Sequence, residues 1–159
     1  MMKLLRESVP AEVVQRMIDS FTNRDPKVVA AARERYGILT RSLAKLNAAG
    51  ARLMLGADTG VEDHLFGFAT HRELEEMVRA GMTPAQGIVA ATSRPAEYMG
   101  LSNLGTLAPG KLASFLVLDA NPLDDITNTR RIAQVYFRGR ALDRAGMRAQ
   151  LTSAAARAN

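Results

Sequence analysis

Along residues 10–23 the apolar positions Val13, Val14, Met17, Ile18 and Phe21 recur on one helical face, and Pro10 suits a first turn. The spacing predicts an amphipathic helix there. Asn23-Arg-Asp-Pro26 breaks it. Asp25 can cap a second helix that opens on Pro26 and runs towards Ala48, with Val28, Val29, Ala32, Tyr36, Leu39, Leu43 and Leu46 as its apolar positions. Gly50 ends that helix, and the apolar run Leu53-Met-Leu55 follows at once. A short run of this kind, flanked by glycine, predicts a buried strand at 52–55, joined to the helix before it as in an αβ unit.

A loop from Thr59 to Ala69 comes next. Thr70-His-Arg-Glu73 then has the pattern of a capping box, and Leu74, Met77 and Val78 form the buried face of the helix behind it, which Gly81 closes. Thr83-Pro-Ala-Gln86 repeats the device ahead of a helix running to about Ser93. A short turn then carries Tyr98 and Met99 to Gly100. From Leu104 the pattern changes. Leu104-Gly-Thr-Leu-Ala-Pro-Gly110 is rich in turn residues, Phe115-Leu-Val-Leu118 predicts a strand, and Asn121-Pro122 breaks it. Val135-Tyr-Phe137 and Arg140-Ala-Leu142 predict strands about an Arg138-Gly139 turn. The tail from Ala145, rich in Ala and Arg, reads as a helix or a frayed end.

Composition narrows the classes. A chain of 159 residues that is 47% hydrophobic and 23% charged suits one globular domain. The absence of cysteine excludes disulfides and thiolate metal sites. The net charge of +5 raises the question of nucleic acid. However, Arg33, Arg35, Arg41, Arg52 and Arg72 are interleaved with Glu34, Glu73, Glu75 and Glu76, and aromatics are only 5% of the chain, so no nucleic-acid partner is expected. No run approaches the ~18 apolar residues of a membrane span, and Met1-Met-Lys-Leu-Leu-Arg-Glu7 lacks a signal-peptide core, so the expected location is the cytoplasm, with no membrane partner.

Chemistry concentrates at Gly56-Ala-Asp-Thr-Gly60. A carboxylate placed just beyond an apolar strand lies where α/β folds gather ligands and catalytic groups. Asp58 can there ligate a metal or move a proton, and the glycines leave room for a substrate. Gly and Asp are also ordinary turn residues, so a plain turn at the strand end is the alternative.

From about Ala48 to Asp143 the chain resembles the carboxyl-terminal part of metal-dependent amidohydrolases of the imidazolonepropionase- and prolidase-like branch. The matching pieces occur in the family's order. Gly56-Ala-Asp-Thr-Gly60 resembles the end of the last barrel strand, and the segment from His71 to Pro84 the helix and turn after it. Ala90-Ala-Thr-Ser-Arg-Pro-Ala96 resembles the next helix, and Leu104–Ala113 with Phe115–Leu123 the return into a small β domain. The resemblance implies the carboxyl-terminal portion of a (β/α)8 barrel, an α/β fold, plus strands of its small β-sandwich domain. Residues 1–103 would belong to the barrel, 104–143 to the β domain and 144–159 to a tail.

The resemblance also implies hydrolysis of a C–N bond in an amide or cyclic amide, with a small amide or dipeptide-like substrate and a divalent metal, usually zinc, in the complete enzyme. Asp58 would bind that metal, take a proton from the attacking water and pass it to the leaving nitrogen. The family's remaining ligands are a His-X-His pair and further histidines, whereas this chain has two histidines, His64 and His71, in neither case paired. Nor does 159 residues reach the ~250 of a typical barrel. The expectation is therefore a fragment that binds no metal tightly by itself and either self-associates or needs a missing amino-terminal part. The alternative is a non-catalytic, self-associating α/β module. His64 faces substrate or is a solvated loop residue. His71 serves as an electrophile or hydrogen-bond donor near the site's mouth, or packs behind it. Glu62, Asp63, Phe66 and Phe68 are further loop candidates, for which solvation or local packing is the plainer reading. Ser114 stands where the family usually has Asp, at a structural position near a strand start.

Overall fold

Helix α1 spans Ala11–Thr22 and α2 spans Pro26–Ala48 in the computed structural model, which describes residues 11–59 and 67–157. The order then continues with α3 (Ala69–Arg79), α4 (Pro84–Ala91), α5 (Ser93–Tyr98), β1 (Phe115–Leu118), a 3-10 helix (Ile126–Arg130), β2 (Ile132–Phe137), β3 (Arg140–Ala141) and α6 (Arg144–Arg157). The chain divides into two compact units, residues 1–34 with 143–159, and residues 35–142. In the first, Val14 of α1 is buried, and Asp143 caps α6 by accepting the Gly146 N–H at 2.9 Å.

The second unit carries the chemistry. Helix α2 enters it from the first unit, where Asp25 opens the helix as expected, its carboxylate accepting the Lys27 N–H at 2.8 Å. The helix closes in a Schellman motif: Gly50 N–H reaches Asn47 O and Ala51 N–H reaches Leu46 O, both at 3.0 Å. The same motif closes α3 at Gly81, where φ of +105° requires a residue without Cβ. Met77, Met82 and Ala90 form the core of this unit, with Leu43, Leu53 and Leu55 packed against it.

Residues 52–55 do not form the expected strand. Leu53 and Leu55 are half-buried while Arg52, Met54 and Gly56 are exposed, which is the alternation of a strand. Among the described residues its backbone bond to another element is Leu55 N–H to the Ala90 carbonyl, at 2.9 Å. A strand needs a ladder partner, and among the described residues none lies beside it. The alternation is present, but among the described residues it is not joined to a sheet.

The Thr70 capping box also fails. Helix α3 begins two residues earlier, at Ala69, with Phe68 at its N-cap and no side-chain cap. Thr70 therefore lies inside the first turn. Thr83 behaves as expected: its hydroxyl accepts the Gln86 N–H at 3.2 Å, and the Gln86 side chain accepts the Thr83 N–H at 2.8 Å. The helix after it breaks at Thr92, whose φ of −130° and ψ of −78° leave the helical region, and α5 resumes with Pro95 in its first turn.

The expected small sheet is present and antiparallel, in the order β1-β2-β3. Phe115 faces Tyr136 across the ladder with their rings stacked 4.6 Å apart, and a bulge lies between Val117 and Leu118. Arg138 and Gly139, at φ of +50° and +80°, make the turn between β2 and β3. Ser114 Oγ accepts the Arg138 N–H at 3.0 Å, and the Ala113 carbonyl accepts that of Gly139 at 2.7 Å. The hydroxyl thus fills the acceptor role at this strand start.

Candidate functional site

Asp58 sits three residues beyond Leu55, the last apolar contact before the turn. Its φ of +43° is in the left-handed region, which aspartate tolerates better than most side chains. The Leu55–Ala90 hydrogen bond and the packing of Leu53 and Leu55 on Met77, Met82 and Ala90 fix the base of this turn. Asp58 itself is exposed.

His71 is placed quite differently. In the first turn of α3, it lines an apolar cleft of about 690 Å³ walled by α3, α4, α5, the 104–107 loop, β1 and Thr129. Its Nδ1 lies 3.0 Å from Thr129 Oγ1, on the 3-10 helix. The Thr129 hydroxyl donates its one proton to the Ile126 carbonyl at 2.8 Å, so it must accept from the imidazole. A ring proton on Nδ1 satisfies this contact in either the neutral or the charged imidazole. Burial, and next the Arg130 guanidinium, push the imidazole below its ordinary pKa; Glu75 acts in the opposite direction more weakly.

Two further contacts join the same elements. Arg130 Nη2 lies 2.6 Å from Glu75 Oε1, an ion pair that lacks hydrogen-bond alignment, since that oxygen has no directional partner. The guanidinium also sits over the Phe68 ring, 4.6 Å from its centroid. Phe68 therefore packs against the 3-10 helix. Next to Glu75 on α3, Glu76 accepts the Tyr36 hydroxyl proton from α2 and pairs with Arg72 and Arg79 at 2.5 and 2.6 Å. Burial opposes ionisation of Glu76, but the Tyr36 and Arg79 hydrogen bonds together with the Arg72 charge hold its carboxyl below the usual range.

The structure brings Asp58 and His71 into one unit without joining them in a cluster. His64, Glu62, Asp63 and Phe66 lie outside the described residues. Among the described residues no three His, Asp or Glu side chains gather to hold a metal ion. A catalytic zinc site uses about three protein ligands, so the donors described do not fit a metal centre by themselves. Sequence reasoning missed Thr129, Arg130 and Glu75 as partners of His71. Thr129 is 58 positions away, and no local pattern links residues so far apart.

Helices packed on a strand-like segment, followed by a small antiparallel sheet, define an α/β protein. The chain belongs to the amidohydrolase family, whose profile matches residues 10–142. Over 83 residues it is 44% identical to adenine deaminase from Clostridium perfringens, an alignment covering 52% of this chain and 13% of that protein. Among solved structures, a candidate prolidase from Bifidobacterium longum superposes with a TM-score of 0.69 at 30% identity, covering 87% of this chain and 35% of the other. Molinate hydrolase gives a TM-score of 0.62 at 33% identity, over 66% of this chain and 26% of that one. The chain thus spans far less than two thirds of the length of these relatives. The family generally uses a divalent metal.

Proposed function

We propose that the chain is the carboxyl-terminal part of the barrel of an amidohydrolase, residues 1–103, joined to strands of its small β domain, residues 104–143. In its complete form this enzyme hydrolyses a C–N bond of a small amide, cyclic amide or dipeptide-like substrate. The relatives named as an adenine deaminase and a prolidase support C–N hydrolysis as the reaction class. The observation that carries the reading is the family match over 10–142, within which Asp58 is the lone carboxylate of the Gly56-Ala-Asp-Thr-Gly60 sequence.

In this reading Asp58 handles the proton. An exposed carboxylate accepts a proton from the attacking water and delivers it to the departing nitrogen, which must leave as a neutral amine. The anchored turn base holds the carboxylate in place while it does so. A divalent metal, zinc by the resemblance, would find in these residues one carboxylate, and its remaining ligands would come from other barrel strands.

Elemental analysis of metal-free protein dialysed against zinc tests the assignment. Far less than one zinc per chain is expected. Retention of one zinc per chain, lost in Asp58→Asn, would show that the chain holds a full ligand set and overturn the fragment reading. An in-frame His-X-His segment in the coding DNA upstream of Met1 would support it. The reading as a non-catalytic, self-associating module is favoured by the exposed apolar positions of α2, Val28, Leu39 and Leu46.

A further inference from the structure

We propose that Pro95 is a positioning residue for Asp58: by ending α4 at Ala91 it keeps the Ala90 carbonyl open to the Leu55 N–H, a backbone tie at the base of the Asp58 turn. The inference rests on the reading of Asp58 as the proton carrier.

The last four carbonyls of an α-helix have no donor within that helix. Ala90 is the next-to-last residue of α4, so its carbonyl takes a donor from elsewhere. Leu55 supplies one at 2.9 Å, and Ala90 is only 1% exposed, so the bond is sheltered from water. In a helix that ran on through α5, the same carbonyl would go to the Arg94 N–H, four residues ahead. Thr92 alone separates α4 from α5. One non-helical residue thus decides whether Ala90 serves Leu55 or Arg94.

Pro95 makes that break. It has no N–H for the Ala91 carbonyl, and in a continuous helix its ring would strike the same carbonyl. In the first turn of α5 neither matters, because an N–H there has no helical partner. Carrying a helix through a proline is disfavoured on the order of a hundredfold. One bond such as that of Leu55 contributes on the order of tenfold at most. The proline therefore sets the break, and the Leu55 bond depends on it.

Three residues beyond Leu55, the left-handed φ of Asp58, +43°, persists only where the surroundings hold it. Packing of Leu53 and Leu55 on Met77, Met82 and Ala90 buries the segment, and the directional bond to Ala90 fixes its register. At the other end Arg52 pairs with Glu97 of α5, an exposed and therefore weak tie.

Nuclear magnetic resonance on the labelled 159-residue chain tests this. In the wild type, scalar coupling across the hydrogen bond should join the Leu55 nitrogen to the Ala90 carbonyl carbon. In Pro95→Ala, helical bonds to both Ala90 and Ala91 compete with the single bond from Leu55. The Ala90 coupling should move to the Arg94 nitrogen, and the Leu55 amide should exchange about tenfold faster. The HN–Hα coupling that marks the left-handed φ of Asp58 should change with it. Arg94→Pro added to Pro95→Ala withdraws the competing N–H and should return the coupling to Leu55. The Gly87 amide, bonded to the Thr83 carbonyl at the start of α4, is the reference, since a general loosening would speed Leu55 and Gly87 alike. The proposal is overturned if the Leu55–Ala90 coupling survives Pro95→Ala, if both amides speed up equally, or if the Asp58 signature outlasts the coupling. Should Pro95→Ala not fold, Pro95→Gly restores the N–H in a weaker helix former and should shift Leu55 in the same direction by less; an unchanged Leu55 amide there overturns the proposal. These readouts are geometric, so the zinc measurement on Asp58→Asn tests the role of the carboxylate separately.

Discussion

Gly105 shows how much a single position can fix. Its φ is +82°, and a Cβ built there would stand 2.8 Å from both Ala96 Cβ and Ser93 Cα, and 2.9 Å from the Thr92 carbonyl. The backbone conformation and the space both demand glycine, because the loop after α5 presses directly on the start of that helix. Gly105→Ala should therefore lose about 2–4 kcal/mol, the strain of a left-handed alanine added to overpacking against a helix backbone. Urea unfolding measures it; a loss below about 0.5 kcal/mol would mean that the loop moves off α5 freely. Ser114 illustrates the opposite case. A hydroxyl there accepts the Arg138 N–H of the β2–β3 turn, so a neutral acceptor suffices at this position.

The elements contain a matched pair that separates sequence pattern from structure. Thr70 and Thr83 head segments with the same capping-box spelling, yet only Thr83 accepts its third-residue N–H. Thr83→Ala should cost about 1 kcal/mol. Thr70→Ala, exposed and without a cap bond, should stay within about 0.5 kcal/mol. Equal losses in thermal or urea unfolding would show that α3 starts at Thr70 after all. The difference also explains what could be read in advance. Helices α1, α2 and α4, the closure at Gly50, and the β1–β2–β3 strands follow from periodicity and turn residues, which act over a few positions. The start of α3 escaped because the capping-box spelling is local, whereas Phe68 at the observed N-cap packs under Arg130, 62 positions away. Leu53–Leu55 carried the right alternation but no partner strand, and pairing is not a local property. At the site, Asp58 was legible as a lone carboxylate between glycines, whereas the His71–Thr129–Arg130–Glu75 group exists only through tertiary packing.

At the scale of the whole molecule, apolar surface exceeds what these elements cover. Helix α2 runs 23 residues with none buried; Val28 is 60% exposed, Leu39 61% and Leu46 50%. Strand β1 lies at the edge of its sheet, with Leu116 48% exposed, and residues 52–55 alternate like a strand without a ladder. Unpaired edges and contiguous apolar faces are surfaces that other chains cover. Burying one such side chain is worth about 1.5–3 kcal/mol, so a contact that covers several of them competes with the entropy lost on association. The isolated chain should therefore sediment as dimers or larger species at micromolar concentration. Adding a charge at the centre of the α2 face, as in Leu39→Glu, should shift it towards monomer while the helix content by circular dichroism is kept. If the chain instead sediments as a monomer and unfolds cooperatively on heating, the exposed face of α2 is not an interface. The residues described would then make up an independent domain, and the case for a larger barrel would rest on the family match alone.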